Sequence, residues 1–338
     1  MPVFATPPFG AEGKQLEQKT TVRFIRIFQD DTVRTGVMTM YPIYPLYNKK
    51  MTMKEQLLSF PAQHQNRQPG FEYEMNPQPL SENPEYKGSG KLTGKVAVIS
   101  GGDSGIGRAA ALAFAREGAR VAIIYLNEDK DAEWTKQRIE ALGSECLPIR
   151  ADLRESEASE TVAAQVIRHF GGVSILVNNC AVQFVRQSLT EISDDQLLNT
   201  FKTNIFSYFY LTRAILPHLT SGSSIINTAS VTAYRGSKTL IDYSATKGAI
   251  VSLTRSLSQN LVPQGIRVNA VAPGPIWTPL IVASFKEDKV GTFGTDMPMK
   301  RPGQPFELAP AYVYLASDDS RYMTGQVLHI GGGEMVES

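Results

Sequence analysis

Short apolar runs alternate with amphipathic segments from Lys91 onward, and this alternation constrains the fold more than any other feature of the sequence. A strand, a helix and a second strand make a βαβ unit, in which the two strands are parallel. Seven runs are predicted to be strands, at 95–100, 120–126, 145–150, 173–179, 223–230, 266–272 and 325–330. Helices are predicted between them, at 105–117, 128–142, 156–170, 193–218, 241–262 and 305–317. Because the strand runs are almost continuously apolar, both faces of the sheet should be buried. We therefore predict an α/β doubly wound fold, with a single seven-stranded parallel sheet flanked by helices.

The first ninety residues have a different character. The part from Pro61 to Gly90 contains five prolines and shows no sustained period of 2 or 3.6, so residues 1–90 are predicted to form an extended or partly disordered N-terminal arm. Within it, 21–28 could form a strand, and 41–47 is punctuated by Pro and Tyr. Met51 and Met53 are alternative start residues, in which case residues 1–50 would be an artefact of start-site choice.

Composition excludes several classes of partner. Lys and Arg number 34 against 33 Asp and Glu, and a net charge of +1 gives no field that would collect nucleic acid or an anionic membrane. No apolar run approaches the roughly 18 residues of a spanning helix, and the N-terminus lacks a secretory signal, so a cytoplasmic protein is predicted. The two cysteines and four histidines show no ligand spacing, and no metal site is predicted.

A glycine-rich loop, "SGGDSGIG" at 100–107, follows the first predicted strand and opens the first helix. Glycines let the backbone turn tightly, and they let a pyrophosphate approach the N–H groups at the helix N-terminus. In this strand, loop and helix context the motif predicts a dinucleotide-binding Rossmann fold. The candidate cofactor-binding residues of the loop are Gly101, Asp103, Ser104, Gly105, Ile106 and Gly107.

The end of the second predicted strand should contact the adenosine ribose of the cofactor. Tyr125, Leu126 and Asn127 are the candidates there, followed by Glu128 and Asp129, with no basic residue among the five. A 2'-phosphate is bound by an Arg or Lys side chain, and acidic neighbours repel it. NAD is therefore favoured over NADP. The two acidic residues also fit a simple solvated helix N-terminus.

The stretch "DYSATKGAI" (242–250) places Tyr243 and Lys247 four residues apart, on one face of a predicted helix. This spacing alone is common in ordinary helices. Ser230, thirteen residues earlier, ends a predicted strand, and the glycine loop lies upstream of both. Together these features predict a proton-transfer site beside a bound dinucleotide.

The ordered motifs resemble those of the short-chain dehydrogenase/reductase family, and the resemblance runs from about Lys91 to Gly333. The motifs that match are "SGGDSGIG" (100–107), "ADL" (151–153), "NNCA" (178–181), "TNIF" (203–206), "NTAS" ending at Ser230, "YSATK" (243–247) and "APGPIWT" (272–278). The Pro-rich arm, "GGDSGIGRA" and "MKRPGQP" (299–305) resemble a bacterial subgroup of general-stress and glucose/ribitol-dehydrogenase-like oxidoreductases. On this reading residues 91–338 form the catalytic domain.

The resemblance implies a role for each matching residue. Tyr243 is the general acid or base, Lys247 its activator and a ribose ligand, Ser230 a donor to the substrate oxygen, and Asn204 the holder of a relay water. A cation near Tyr243 is expected to lower the pKa of its phenol from about 10 toward neutrality. Further implied cofactor contacts are Asp152, Leu153, Asn178, Asn179, Cys180, Pro273, Gly274, Ile276 and Thr278.

The resemblance implies an NAD(P)-dependent oxidoreductase that interconverts a small alcohol and its aldehyde or ketone, assembled as a homotetramer. Pocket walls are expected at Gln183, Phe184, 232–234 and 276–300, the last a mobile lid that includes Trp277. The arm at 61–90 is a candidate to wrap a neighbouring subunit. Two alternatives stay open: a nucleotide sensor or scaffold without turnover, and an epimerase or dehydratase that retains its cofactor.

Overall fold

The computed structural model describes residues 60–336 of the chain. Seven strands form one sheet in the order β3-β2-β1-β4-β5-β6-β7, and every neighbouring pair is parallel. The strands are β1 Val96–Ser100, β2 Arg120–Tyr125, β3 Cys146–Arg150, β4 Ile175–Asn178, β5 Ser224–Thr228, β6 Arg267–Pro273 and β7 Val327–Ile330. The predicted seven-stranded parallel sheet is confirmed, and both ends of each strand lie within two residues of the predicted span.

In the described residues the helices lie between the strands, and all but the three shortest fall in predicted helical spans. They are α1 Gly105–Arg116, α2 Asp129–Ala141, α3 Ser156–Phe170, α4 Asp194–Phe201, α5 Ser207–Ile215, α6 Thr232–Arg235, α7 Ile241–Leu261, α8 Pro279–Val282, α9 Glu287–Gly291 and α10 Pro305–Ala316. The helix predicted at 193–218 is interrupted, because a π-helical segment, Lys202–Phe206, separates α4 from α5 and a 3-10 turn, Leu216–His218, follows α5. None of the helices in the described part of the chain is long and apolar enough to cross a membrane.

Each face of the sheet is covered by its own apolar core. In β1, Ala97 and Ile99 pack into the core beneath α1 and α10, whereas Val96 and Val98 pack into the core beneath α3 and α5. All five residues of β1 are buried. The alternation follows from the two-residue period of a strand, and it explains why the strand sequences are apolar throughout.

From Phe60 to Gly90 the arm lies along the surface of its own chain, with a single 3-10 turn at Glu72–Glu74. The Phe60 ring stacks on Trp277 with centroids 3.9 Å apart, and Trp277 Nε1 donates to Pro77 O at 3.0 Å. These contacts anchor the arm to the segment that follows β6. The predictions for 21–28, 41–47 and the start residue fall outside the described residues.

A buried ion triad fixes the arm to the nucleotide-binding half of the sheet. The Arg108 guanidinium in α1 pairs with Glu72 of the arm and, at 3.0 Å, with Asp131 of α2. Glu72 also accepts from the Gly105 N–H, the first amide of α1, at 2.6 Å. Arg108 Nε in turn donates to Asp103 O in the glycine loop at 2.7 Å. The arm therefore helps to hold the loop in shape.

Candidate active site

A cavity of about 490 Å³ opens at the carboxyl ends of the strands. It lies where the strand order reverses between β1 and β4, the point at which doubly wound sheets bind ligands. The glycine loop, the ends of β2 and β5 and the N-terminal part of α7 all contribute side chains to its wall. The topology alone thus brings together motifs that are more than a hundred residues apart.

The glycine loop has the shape that a dinucleotide requires. Gly101 and Gly105 have φ values of 62° and 53°, in the left-handed region that favours glycine. A Cβ on Gly107 would lie 1.9 Å from Gly101 O, so the loop could not close over α1 with any larger residue there. Gly101, Gly105 and Ile106 line the cavity at the N-terminus of α1, where an anion is stabilised.

The predicted catalytic side chains converge on one end of the cavity. Tyr243, Lys247 and Ser230 all line it and are 8%, 1% and 7% exposed. The Ser230 hydroxyl is close enough to the phenol of Tyr243 to lower its pKa, and Ser230 Oγ accepts from Thr232 Oγ1 at 3.0 Å. Lys247 Nζ donates to Thr228 O at 2.7 Å and lies 5.4 Å from the centroid of the Tyr243 ring. The i, i+4 spacing on α7 and the end of β5 together place this group.

The pKa of Tyr243 shifts in the direction opposite to the one expected from the sequence. Burial raises the pKa of the phenol to about 12, although the hydrogen bond with Ser230 acts to lower it. Burial also lowers the pKa of Lys247 to about 7. Desolvation disfavours both charged forms, and it outweighs the attraction that an ammonium would exert on a phenolate. At neutral pH the phenol is therefore protonated.

The π-helical segment positions Asn204, which is fully buried. Its Nδ2 donates to Val182 O at 2.8 Å and to Thr246 Oγ1 at 3.2 Å, and its Oδ1 accepts from Val182 N at 2.8 Å. The side chain thus ties the loop after β4 to α7. It does not line the cavity, and its role as a holder of water stays a prediction.

Most predicted cofactor contacts do line the cavity. These are Gly101, Asp103, Ser104, Gly105, Ile106, Tyr125, Leu126, Asp152, Leu153, Asn179, Cys180, Tyr243, Lys247, Pro273, Gly274, Ile276 and Thr278. Gly107, Asn127 and Asn178 are not part of its wall. The Asn178 amide points into the protein, where it donates to Thr212 Oγ1 at 3.0 Å and to Asn227 Oδ1 at 2.9 Å. Asn178 supports the strand, and its neighbour Asn179 faces the cavity.

The end of the cavity beside β2, where the sequence predicts the adenosine ribose, contains a buried acidic side chain. Glu128 is 1% exposed and lines the cavity, with Oε2 accepting from the Leu126 and Asn127 amides at 3.1 and 3.0 Å. Its Oε1 has no hydrogen-bond partner among the described residues. Asp129 lies outside, 60% exposed and paired with Arg150. Glu128, and not Asp129, is therefore the acidic side chain available to a ribose hydroxyl.

The sequence did not indicate that the arm lines the cavity. Gln68, Pro69 and Gly70 form part of its wall, beside Leu280, Ile281, Phe285 and Phe293 from the segment after β6. That segment covers the cavity as predicted, but it packs on the arm: Gln65 N donates to Val282 O at 2.8 Å, and a ring nitrogen of His64 lies 2.8 Å from Phe285 O. Trp277, expected as a pocket wall, is fully buried against Phe60 instead. The pattern of prolines gave no signal for these contacts.

Cys180 lines the cavity, and burial raises the pKa of its thiol. A protonated thiol is a poor nucleophile. Its sulfur lies 3.7 Å from Ser207 Oγ and 3.9 Å from Thr203 O, so it packs against α5. Within residues 60–336 no three His, Cys, Asp or Glu side chains come together as a metal-binding group.

The buried Lys247 should give the coenzyme-free protein a distinct pH dependence. Its folded pKa of about 7 lies below its ordinary value of 10.5, so between these values the unfolded chain binds a proton that the folded chain does not. The free energy of unfolding should therefore rise with pH, by up to about 1.4 kcal/mol per pH unit. Chemical denaturation at pH 7 and pH 9 should show a gain of about 2 kcal/mol for the wild type relative to Lys247→Met. Equal gains in the two proteins would contradict a neutral buried amine.

Comparison with known proteins places the chain among oxidoreductases. Residues 101–334 match a family model described as enoyl-(acyl carrier protein) reductase. The chain is 62% identical to the uncharacterized oxidoreductase YhxC of Bacillus subtilis over 278 residues, which cover 82% of this chain and 97% of YhxC. It is 56% identical to general stress protein 39 of the same bacterium over 276 residues, 82% of this chain and 96% of that one. It is 50% identical to the glucose and ribitol dehydrogenase of Daucus carota over 283 residues, 82% and 97% of the two chains.

Solved structures agree with the fold. A short-chain dehydrogenase from Burkholderia cenocepacia in complex with NADP superimposes with a TM-score of 0.68 at 31% identity, over 72% of this chain and 98% of that one. A blue fluorescent protein from a metagenomic library, in complex with NADPH, gives a TM-score of 0.67 at 30% identity, with the same coverage. These two complexes lend no support to the expectation of NAD. The fold, the motifs and the relatives agree, and the chain belongs to the short-chain dehydrogenase/reductase family.

Proposed function

We propose that the protein is an NAD(P)-dependent oxidoreductase that interconverts a small alcohol and its aldehyde or ketone. One observation carries the proposal: Ser230, Tyr243 and Lys247 line the same cavity as the glycine loop. A proton donor and a dinucleotide cradle in one enclosed site are the two parts that carbonyl reduction needs.

Each residue has a separate task in this proposal. The bound coenzyme supplies the hydride. Ser230 donates to the substrate oxygen and holds it beside the phenol, and Tyr243 delivers the proton to that oxygen. The raised pKa of Tyr243, a consequence of burial, keeps the phenol protonated, so that it can donate a proton when a carbonyl is reduced. Lys247 lies beside the Tyr243 ring and is held there by its hydrogen bond to Thr228 O.

For the coenzyme we propose NAD(H) over NADP(H). The support is Glu128, a buried carboxylate in the cavity wall at the end of β2, whose Oε1 accepts no hydrogen bond from the described residues and could accept one from a ribose 2'-hydroxyl. The NADP and NADPH complexes of the structural neighbours favour the opposite choice. Direct titration with both coenzymes decides between them.

The test of the function is a panel of aldehydes, ketones, sugars and polyols, assayed with NADH and NADPH for reduction and with NAD and NADP for oxidation. Net change in the absorbance of the reduced nicotinamide identifies an oxidoreductase. Coenzyme binding without such a change for any compound would favour the nucleotide sensor or scaffold. Conversion of substrate without net change would indicate an epimerase or dehydratase.

Within the panel we propose a polar, hydroxylated substrate. Gln183 is 3% exposed in the cavity wall, and its Nε2 has no hydrogen-bond partner among the described residues. Its backbone is fixed by Gln68 of the arm, which accepts from Gln183 N at 3.0 Å and donates to Gln183 O. An unpaired buried amide is costly unless a ligand completes it. The name of the Daucus carota relative points to substrates of the same class.

Replacing Gln183 with leucine should therefore separate polar from apolar substrates. We expect KM to rise about 10-fold for a sugar or polyol, because one buried hydrogen bond is lost, and to change little for an apolar aldehyde. Steady-state kinetics on both substrates measure the difference, and Gln187→Leu on the exposed side of the same loop is the matched control. A proportional rise for both substrates would show that Gln183 only shapes the pocket.

We further propose a homotetramer in a cytoplasmic location. The support for assembly is an apolar patch on α4, the π-helical segment and α5, which the single chain leaves exposed: Leu197, Leu198, Phe206 and Phe209. Such patches are typical of subunit interfaces. Sedimentation of the full chain as a monomer would contradict the assembly. The described arm residues contact their own chain, so wrapping of a neighbour stays a prediction.

A further inference from the structure

The arm brings a guanidinium to the adenosine end of the cavity. Arg67 Nη2 donates to Asn127 Oδ1 at 2.6 Å and lies 3.9 Å from Glu128 Oε1. Both partners follow β2, where a doubly wound sheet distinguishes the ribose 2'-hydroxyl of NAD from the 2'-phosphate of NADP. No basic residue occurs in the sequence from 125 to 129, so the cation at this position comes from a part of the chain about sixty residues earlier.

Arg67 is held in place and not merely nearby. Its Nε donates to Pro69 O at 2.7 Å, and its guanidinium lies 3.4 Å from the centroid of the Phe71 ring. The next three residues of the arm line the cavity. The side chain of Arg67 is 31% exposed, which leaves room for a ligand to reach the guanidinium.

The charges around Arg67 oppose one another. Glu128 is buried beside it, and Asp103 lies close enough that burial and the charge of Glu128 together raise the pKa of Asp103 to about 7. Asp129 and Arg150 pair with each other on the exposed side. A 2'-phosphate would meet the repulsion of Glu128 before it could use Arg67.

We propose that Arg67 and Glu128 form a coenzyme-selectivity pair, in which Glu128 accepts from the 2'-hydroxyl and keeps Arg67 from binding a 2'-phosphate. The inference rests on the proposed use of a nicotinamide coenzyme. It assigns to the N-terminal arm a part in choosing that coenzyme. Removing the carboxylate should turn Arg67 from a screened neighbour into a phosphate ligand.

The experiment is a double-mutant cycle on the full chain: wild type, Glu128→Gln, Arg67→Ala and the double variant. Dissociation constants for NADH and NADPH are measured by fluorescence titration without substrate, so the result does not depend on turnover. Glutamine can still accept from the two amides that Glu128 Oε2 binds. We expect the wild type to bind NADH more tightly than NADPH. Glu128→Gln should shift the ratio of NADPH affinity to NADH affinity about 10-fold or more toward NADPH, which is the effect of gaining one charge-assisted hydrogen bond.

In the double variant that shift should disappear, and Arg67→Ala alone should change the affinities for NADPH and NADH by less than about twofold, because Glu128 already keeps Arg67 from the 2'-phosphate. Arg150→Ala, an exposed arginine that contacts the same loop through Leu126 O, is the matched control and should leave the ratio unchanged. A shift that persists without Arg67, or an Arg67→Ala variant that by itself weakens NADPH binding about 5-fold or more, overturns the proposal. The second outcome is decisive even if Glu128→Gln fails to fold. Normal coenzyme binding with no turnover of any substrate would instead refute the proposed function, and the proposal about Arg67 and Glu128 would be unaffected.

Discussion

Tyr243→Phe is expected to lower kcat for carbonyl reduction about 10³-fold and to leave the dissociation constant of the coenzyme nearly unchanged. The phenylalanine keeps the aromatic ring but removes the hydroxyl that delivers the proton in the proposed function, and general acid catalysis contributes about 10²- to 10⁴-fold. Stopped-flow or steady-state assays with the best substrate of the panel measure kcat, and fluorescence titration measures coenzyme affinity.

A second tyrosine provides the matched control. Tyr234 belongs to α6, lies outside the cavity wall, and has a hydroxyl with no hydrogen-bond partner among the described residues. Tyr234→Phe should therefore retain kcat within about twofold. If Tyr243→Phe also retained its rate, another group would have to supply the proton, and the role assigned to Tyr243 would be wrong.

Arg108→Met is expected to lower the free energy of unfolding by about 3–5 kcal/mol, because it leaves two buried carboxylates without their cation. Glu72 and Asp131 are each 1% exposed, and both pair with Arg108. Burial already raises the pKa of both carboxyl groups, and the Arg108 charge opposes this. Arg108 Nε also donates to Thr135 Oγ1 at 2.8 Å and to the glycine loop, so the variant should loosen the loop as well.

Chemical denaturation of the coenzyme-free protein measures this loss. Lys136→Met, which breaks the exposed pair of Lys136 with Glu140 on α2, is the control and should cost no more than about 0.5 kcal/mol. Adding Glu72→Leu to Arg108→Met should recover part of the stability, since one uncompensated charge is removed. A loss under 1 kcal/mol for Arg108→Met would show that the arm is not energetically joined to the nucleotide-binding half.

The sheet and its helices were predictable because the relevant signals are local. A buried parallel strand needs an apolar run of about five residues, and the runs at β1 and β2 match the observed strands nearly residue for residue. The π-helical interruption between α4 and α5 was not predictable from the sequence. A π-helical turn has about one residue more than an α-helical turn, and this leaves the apolar pattern almost intact. Both Asn178 and Asn179 were predicted as cofactor contacts, because the sequence does not show which of two adjacent asparagines at the end of β4 faces the cavity. In the structure Asn179 lies in the cavity wall, and the Asn178 amide donates to Thr212 and Asn227.

The pKa of Tyr243 shows the same limit at the level of energetics. The sequence supplies a nearby lysine, which suggests a lowered pKa, but only the packing around α7 reveals how completely both groups are desolvated. Burial depends on the neighbours of a residue in three dimensions. It cannot be read from a spacing of four residues.

The sequence by itself determined the doubly wound sheet, the glycine loop and the grouping of Ser230, Tyr243 and Lys247, since each depends on short-range patterns at the ends of regular elements. Only the tertiary structure decided that Arg67, Gln68 and Glu72 of the arm reach the cavity and its glycine loop. A proline-rich segment has no periodic pattern that predicts its path, because its position is set by scattered side-chain contacts with distant residues. Those contacts, and not the motifs, place a cation beside Glu128.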